Sequence, residues 1–209
     1  MPVTIVDHPL VADRITQLRD ERTTPADFRR LANEVATFLA YEALRDVPTD
    51  DVAVRTPLAV DAPGRRLRHP LPFLVPVLRA GLGLLDGVLA AMPGAEVGLA
   101  GLRRDETTFQ PDWYCSVIPV DLAGRGAFVL DPMLATGGSL AAVCDVLSQR
   151  GAASITALCL LASPEGIRRI GEQSPGTHVV TAAVDDRLDD RMFIVPGLGD
   201  AGDRLFGVR

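Results

Sequence analysis

Residues 127–139 read Ala127-Phe128-Val129-Leu130-Asp131-Pro132-Met133-Leu134-Ala135-Thr136-Gly137-Gly138-Ser139, an apolar run that ends in one acid and passes into a small loop rich in glycine and hydroxyls. The run predicts a buried strand. The segment that follows, Leu140 to Arg150 closed by Gly151, has apolar residues at helical spacing, so the loop opens a helix. There the N–H groups of Gly137, Gly138, Ser139 and the first helical turn can point at an anion, helped by the helix dipole and by the hydroxyls of Thr136 and Ser139. Asp131 would repel a phosphate but accepts hydrogen bonds well from a pair of sugar hydroxyls. The combination suggests a ribose phosphate. No Gly-Lys-Ser/Thr is present and no G-x-G-x-x-G follows the strand, which argues against a Walker loop and the dinucleotide fingerprint. The plainer alternative is an ordinary turn with Ser139 as helix N-cap.

On the N-terminal side of this loop, Pro9 to Asp20 and Pro25 to Asp46 predict two amphipathic helices, the second with Phe28, Leu31, Val35, Phe38 and Leu39 at turn-like spacing. Val52 to Val60 and Arg65 to Arg68 flank Asp61-Ala62-Pro63-Gly64, which predicts a hairpin with its turn at 61–64. From Pro72 onward apolar runs alternate with helical stretches. The runs are Phe73 to Leu78, Val97 to Leu102, Phe128 to Leu130, Ile155 to Leu161 and Val179 to Val184; the helices are Leu82 to Met92, the one after Ser139, and Glu165 to Glu172. That alternation predicts an α/β fold with a twisted, mainly parallel sheet, helices on both faces, and ligands at the carboxyl ends of the strands. Residues 1–209 read as one domain carrying an N-terminal helical region and a β-hairpin arm.

Composition bounds the class. The chain is 47% hydrophobic and 23% charged with a net charge of -6, which is globular and counts against a general nucleic-acid or membrane surface. All 21 basic residues are arginine, a usage that resembles coding bias and carries no function by itself. Met1 to Asp7 has no leader pattern and no apolar run is long enough to span a bilayer, so a cytoplasmic protein is expected. Cys115, Cys144 and Cys159 are odd in number and widely spaced, as are His8, His69 and His178. Reduced structural thiols and no protein metal cage are expected.

Two further segments occur with the first loop, in order around it: Leu78-Arg79-Ala80-Gly81-Leu82-Gly83 and Val195-Pro196-Gly197-Leu198-Gly199-Asp200-Ala201-Gly202-Asp203-Arg204. With His8-Pro9-Leu10 and Ala162-Ser163-Pro164-Glu165-Gly166, they make the whole chain resemble the uracil phosphoribosyltransferases. The loop alone would indicate only the wider type I phosphoribosyltransferase group; the C-terminal segment narrows it to uracil. The resemblance implies transfer of phosphoribosyl from 5-phospho-α-D-ribose 1-diphosphate (PRPP) to N1 of uracil, giving UMP and pyrophosphate in pyrimidine salvage. It assigns the PRPP site to Arg79, Arg104, Asp131, Pro132, Met133, Leu134, Ala135, Thr136, Gly137, Gly138, Ser139 and Asp200. Asp131 would hold the ribose 2- and 3-hydroxyls while 135–139 bind the 5-phosphate.

The chemistry develops positive charge on the ribose ring and negative charge on the leaving pyrophosphate. Arg79, in a glycine-rich turn after a strand, can grip pyrophosphate. Arg103 to Asp112 mixes charges without core periodicity and is a candidate lid, within which the resemblance makes Arg104 the residue that reaches the diphosphate. Uracil binding falls to Ile194, Gly199, Asp200 and Ala201, through main chain that glycines allow to come close. Such an edge would leave polar groups unpaired against cytosine, which should be rejected. Asp200, which the resemblance places near the phosphoribosyl substrate, joins Arg104 as a catalytic candidate to orient the base or assist loss of its N1 proton. Mg²⁺ is expected as cofactor, bound mainly through substrate phosphates and water.

The chain departs from its relatives' pattern at four places. Asp131-Pro132 stands where the wider group has two acids, though the uracil branch is similar to this chain there. Phe193 stands where many relatives carry tyrosine, Asp189-Asp190 for an Asn-Glu-like pair, and Gly207-Val208-Arg209 for Gly-Thr-Lys. The resemblance also implies a homo-oligomer, dimer or tetramer, and in some members activation by GTP. The competing reading from another class is an RNA-binding regulator of pyrimidine genes on the same fold, with Arg65-Arg66-Leu67-Arg68-His69 as its one dense basic run. The acidic balance counts against it. Transfer to orotate would require another cation beside the base, and 194–201 supplies none.

Overall fold

A computed structural model describes residues 1–104 and 111–207. In chain order the elements begin with β1 (Val3–Ile5), α1 (Pro9–Arg19), α2 (Pro25–Ala43), β2 (Thr49–Arg55), β3 (Asp61–Leu67), β4 (Phe73–Leu78) and α3 (Leu82–Ala91). Then come β5 (Leu99–Arg104), β6 (Pro111–Val117), β7 (Gly126–Leu130), β8 (Met133–Leu134), α4 (Gly138–Gln149) and β9 (Ser154–Ala162). The chain continues through α5 (Pro164–Gln173), β10 (Thr177–Val184), β11 (Arg187–Leu188), β12 (Ile194–Val195) and α6 (Ala201–Phe206). Helices α1, α2 and α5 each start with proline at the first turn behind a capping side chain, His8, Thr24 or Ser163, the position where a missing N–H costs nothing.

The central sheet runs β1-β10-β9-β7-β4-β5-β6, with β8 also paired to β9. Every pairing in it is parallel except β5 with β6. Side chains alternate between two cores. Leu74, Phe128, Leu130 and Val180 join α1, α2 and α3 on one face, while Phe73, Val75, Val129 and Val179 join α4 on the other. Burial on both faces explains why β4 and β7 read as unbroken apolar runs. All of this matches the α/β arrangement expected from the alternating pattern. No helix among the described residues is long and apolar enough to cross a membrane.

Some elements fall elsewhere than the pattern suggests. The hairpin exists, but its turn is 56–60, and Asp61-Ala62-Pro63-Gly64 lies inside β3, paired with Val52 to Arg55. Thr56 closes that turn by donating its N–H and its hydroxyl to the Val60 carbonyl, both at 2.9 Å. Pro63 is tolerated because a two-stranded arm has only edges. The arm's arginines face acids on the partner strand: Arg68 Nε donates to Asp50 at 2.8 Å and Arg65 lies 3.9 Å from Asp51. Helix α4 starts two residues earlier than a Ser139 cap would require, with Gly137 as N-cap at φ 75. Strands β1, β6, β8, β11 and β12 were not legible as apolar runs; β6 is an antiparallel sheet edge.

Candidate active site

The site forms where β4 and β7 deliver their carboxyl ends side by side. Pro76 pairs with Leu130, so the turns beginning at Arg79 and Asp131 open next to one another. They line a cleft of about 250 Å³ bounded by 77–80, Leu102, Asp131 and 133–140. Glycine makes the approach possible: a Cβ on Gly81 would stand 2.3 Å from the Leu130 carbonyl oxygen and 2.5 Å from the Val77 nitrogen. The Leu78–Arg79 peptide is cis.

The Asp131 loop is pinned to β9 on both sides. Leu130 pairs with Leu158 before it and Met133 with Leu161 after it. Between them the Pro132 carbonyl accepts N–H bonds from Leu160 and Leu161 at 2.9 and 3.1 Å, while proline's lack of an N–H leaves no donor to satisfy. Asp131 lies half-buried at the cleft floor. Desolvation pushes its carboxyl up to about 6, against the opposing pull of the Met133 N–H 3.5 Å away. Beyond it the αL turn at Gly137 opens α4, whose first residues Gly138, Ser139 and Leu140 line the cleft, and the opening turn of a helix carries N–H groups without an intrahelical partner. Ser163 fixes this loop from α5: its Oγ donates to the Ala135 carbonyl at 2.6 Å and accepts the Gly166 N–H at 2.9 Å.

The 194–201 segment does not line the cleft; the residues that follow it, Gly202 and Asp203, meet the rim. A Cβ on Gly202 would lie 4.0 Å from both Ala80 Cβ and Arg79 Nη2, and Arg79 Nη2 stands 3.6 Å from Asp203. Asp200 is exposed, and its Oδ1 caps α6 by accepting the Asp203 N–H at 2.9 Å. Ile194 is 5% exposed and its side chain belongs to the core, which leaves its main chain to face a ligand. Gly199 has φ 82, and Ala201 is buried beside it. Phe193 is 42% exposed directly before β12, where its carbonyl accepts the Asp189 N–H at 2.8 Å.

Residues that the sequence pattern did not mark hold this segment in place. Asp185, directly after β10, receives Arg19 Nη1 and Nη2 at 2.7 and 2.6 Å and the Gly197 N–H at 2.8 Å. Arg19 Nη1 also donates to the Gly197 carbonyl at 2.7 Å. Burial pushes the Asp185 carboxyl upward, but Arg19 and the Gly197 N–H outweigh it and hold the group below the ordinary carboxylate value. Arg204 lies over the Phe28 ring and donates to the carbonyls of Leu198, Leu18 and Asp20, tying the segment to the end of α1. One signal was available: Asp185 ends a buried strand as Asp131 does.

The expected lid falls largely outside the described residues, including all of 105–110 and the Arg104 side chain. At its base Arg103 Nε donates to Asp112 at 2.8 Å, and Arg104 pairs with Pro111 in the β5–β6 ladder.

The profile of the family described as Uracil phosphoribosyltransferase matches residues 5–208. The chain belongs to that family. It is 56% identical to the uracil phosphoribosyltransferase of Kineococcus radiotolerans, with all of both chains covered, and 54% identical to that of Streptomyces avermitilis over 99% of each. A solved structure of a protein from Aquifex aeolicus superposes with a TM-score of 0.91 at 36% identity, covering 99% of this chain and 98% of that one. The adenine phosphoribosyltransferase of Thermoanaerobacter pseudethanolicus shares the fold alone, with a TM-score of 0.51 and 12% identity over 77% of this chain and 84% of that one. The α/β architecture is that of the type I phosphoribosyltransferases.

Proposed function

We propose that this enzyme transfers the phosphoribosyl group of PRPP to N1 of uracil, giving UMP and pyrophosphate, and that it divides the work among three loops. Family membership over nearly the whole chain carries the reaction; the convergence of 79–83, 131–139 and 198–203 carries the division. In this reading Asp131, Pro132, Met133 and Leu134 face the ribose, with the Asp131 carboxylate accepting from both hydroxyls. Ala135, Thr136, Gly137, Gly138 and Ser139 take the 5-phosphate. Arg79, and Arg104 from the lid, take the pyrophosphate as its negative charge grows.

The main chain of Ile194, Gly199 and Ala201 reads the uracil edge. A uracil-shaped edge supplies acceptors to N3–H and donors to the two carbonyls, so cytosine leaves polar groups unpaired. Asp200 orients the base or receives the N1 proton, a role supported by its place between the uracil segment and Arg79. Mg²⁺ fits this site as a partner of the diphosphate, with Asp131, the acid that lines the cleft, available to its water shell. When bound, the metal neutralises the leaving group. We place the enzyme in the cytoplasm as a homo-oligomer, a reading supported by apolar side chains left in solvent, Leu58 at 87% and Tyr41 at 74% exposure.

Incubation of the purified protein with labelled uracil, PRPP and Mg²⁺, beside cytosine, orotate and hypoxanthine, tests the assignment. UMP should form and the other bases should give no nucleotide. Absence of UMP would overturn it.

A further inference from the structure

Arg169 has no place in the division of work above. It lies on α5 one turn beyond Gly166, whose backbone is locked against the phosphate loop: a Cβ there would stand 2.4 Å from the Ala135 carbonyl oxygen and 2.6 Å from that of Leu134. From this anchored turn the Arg169 side chain crosses the two glycines that open α4. A Cβ on Gly137 would meet Arg169 Cβ at 3.4 Å, and one on Gly138 would meet Nη1, Cζ and Nη2 at 3.3, 3.6 and 3.7 Å. Cα–Cβ bonds of a helix tilt toward its N-terminus. The guanidinium therefore stands at the amino end of α4, where the phosphate donors are.

That end of a helix is positive, an unfavourable place for an unpaired cation. Arg14 and Arg45 pair with Glu34 and Glu42, whereas Arg29, Arg150 and Arg204 donate to backbone carbonyls instead. Arg169 forms no ion pair among the described residues. Its Nε donates to the neutral Gln173 Oε1 at 3.2 Å, an arrangement that holds the side chain still and leaves both Nη groups toward Gly138. A cation fixed beside a helix N-terminus needs an anion between them. A phosphomonoester dianion supplies it.

We infer that Arg169 is a binding residue for the 5-phosphate of PRPP, closing from α5 over an anion already held by the N–H groups of 137–139. This rests on the reading of 135–139 as the 5-phosphate site. A side chain on Gly138 would press on the guanidinium, its Cβ 3.3 Å from Nη1. Arg169→Met should raise KM for PRPP and the Kd of ribose 5-phosphate, measured by calorimetry, by about 10- to 50-fold, the size of a charge-assisted hydrogen bond. The KM for uracil should stay within about twofold, as expected when binding to the other substrate is untouched. Arg169→Lys should recover part of the loss, and Arg168→Met, an exposed arginine one position away, should behave as wild type. Gly138→Ala combined with Arg169→Met should lose less than the sum of the two single changes.

Equal behaviour of Arg169→Met and Arg168→Met, or unchanged ribose 5-phosphate affinity, overturns the inference. A chain that binds ribose 5-phosphate, loses it in Arg169→Met and makes no UMP would uphold the Arg169 role while overturning the uracil assignment.

Discussion

Asp131 and Asp185 each follow directly on a buried strand, β7 and β10, on either side of β9, yet their carboxyls are driven in opposite directions. Asp131 has one weak N–H donor and is pushed up to about 6; Asp185 has a bidentate arginine and a backbone N–H and is held low. The first pattern suits the ligand-binding role proposed for Asp131, and the second is that of a structural brace. Position at a strand end marks both; only the partners separate them.

The largest effect should come from the turn that brings the cleft loops together. Gly81→Ala places a methyl group against backbone at 2.3 Å, so one of the two strands must move. A stability loss of about 3 kcal/mol in a denaturant titration is expected, with kcat/KM down at least about a hundredfold.

Asp131→Asn should separate binding from stability. Loss of a charged acceptor should weaken ribose 5-phosphate binding about 10- to 100-fold by calorimetry. The same change should stabilise the empty protein at pH 8 by about 1–3 kcal/mol, because it removes a desolvated charge. The sign follows from the raised value: between the unfolded carboxylate value near 4 and the folded value of about 6, the native state holds the proton longer. Stability therefore falls as pH rises through that window. A lower melting temperature for Asp131→Asn would break the comparison.

Asp185→Asn should do the reverse. It keeps an acceptor for the Gly197 N–H but loses the charge that holds Arg19, and since Arg19 is about a quarter exposed the cost should be about 2–3 kcal/mol rather than that of a fully buried pair. The uracil KM should rise about tenfold through the displaced 197–201 backbone. Because the folded carboxyl lies below its ordinary value, its contribution is present above the normal carboxylate range and lost as pH falls through the lowered value.

The smallest effect is on pH. Wild-type affinity for ribose 5-phosphate should fall about tenfold from pH 7 to pH 5 as Asp131 gains its proton. The part due to Asp131 should vanish in Asp131→Asn, leaving only the ligand's own phosphate titration.

What could be read from sequence follows the same divide. The 131–139 loop was legible because all its parts, strand end, acid, glycines and helix start, are consecutive. The brace was not, because Arg19 and Asp185 lie 166 positions apart and meet only once α1 packs beside β10. Asp61-Ala62-Pro63-Gly64 reads as the arm's turn because such residues favour turns. A two-stranded arm accepts them within a strand, and the hydrogen bonds of Thr56 decide the turn instead. Strand β6 is not legible in the sequence because an edge strand needs no continuous apolar run; Asp112, Tyr114 and Ser116 lie within it.

The division of labour itself is tested by measuring the uracil KM and the ribose 5-phosphate Kd side by side in Asp131→Asn and Asp185→Asn. A crossed result is expected: Asp131→Asn weakens ribose 5-phosphate at least about tenfold with the uracil KM nearly unchanged, and Asp185→Asn raises the uracil KM about tenfold with ribose 5-phosphate binding nearly unchanged. Equal loss of both ligands in both variants would contradict it.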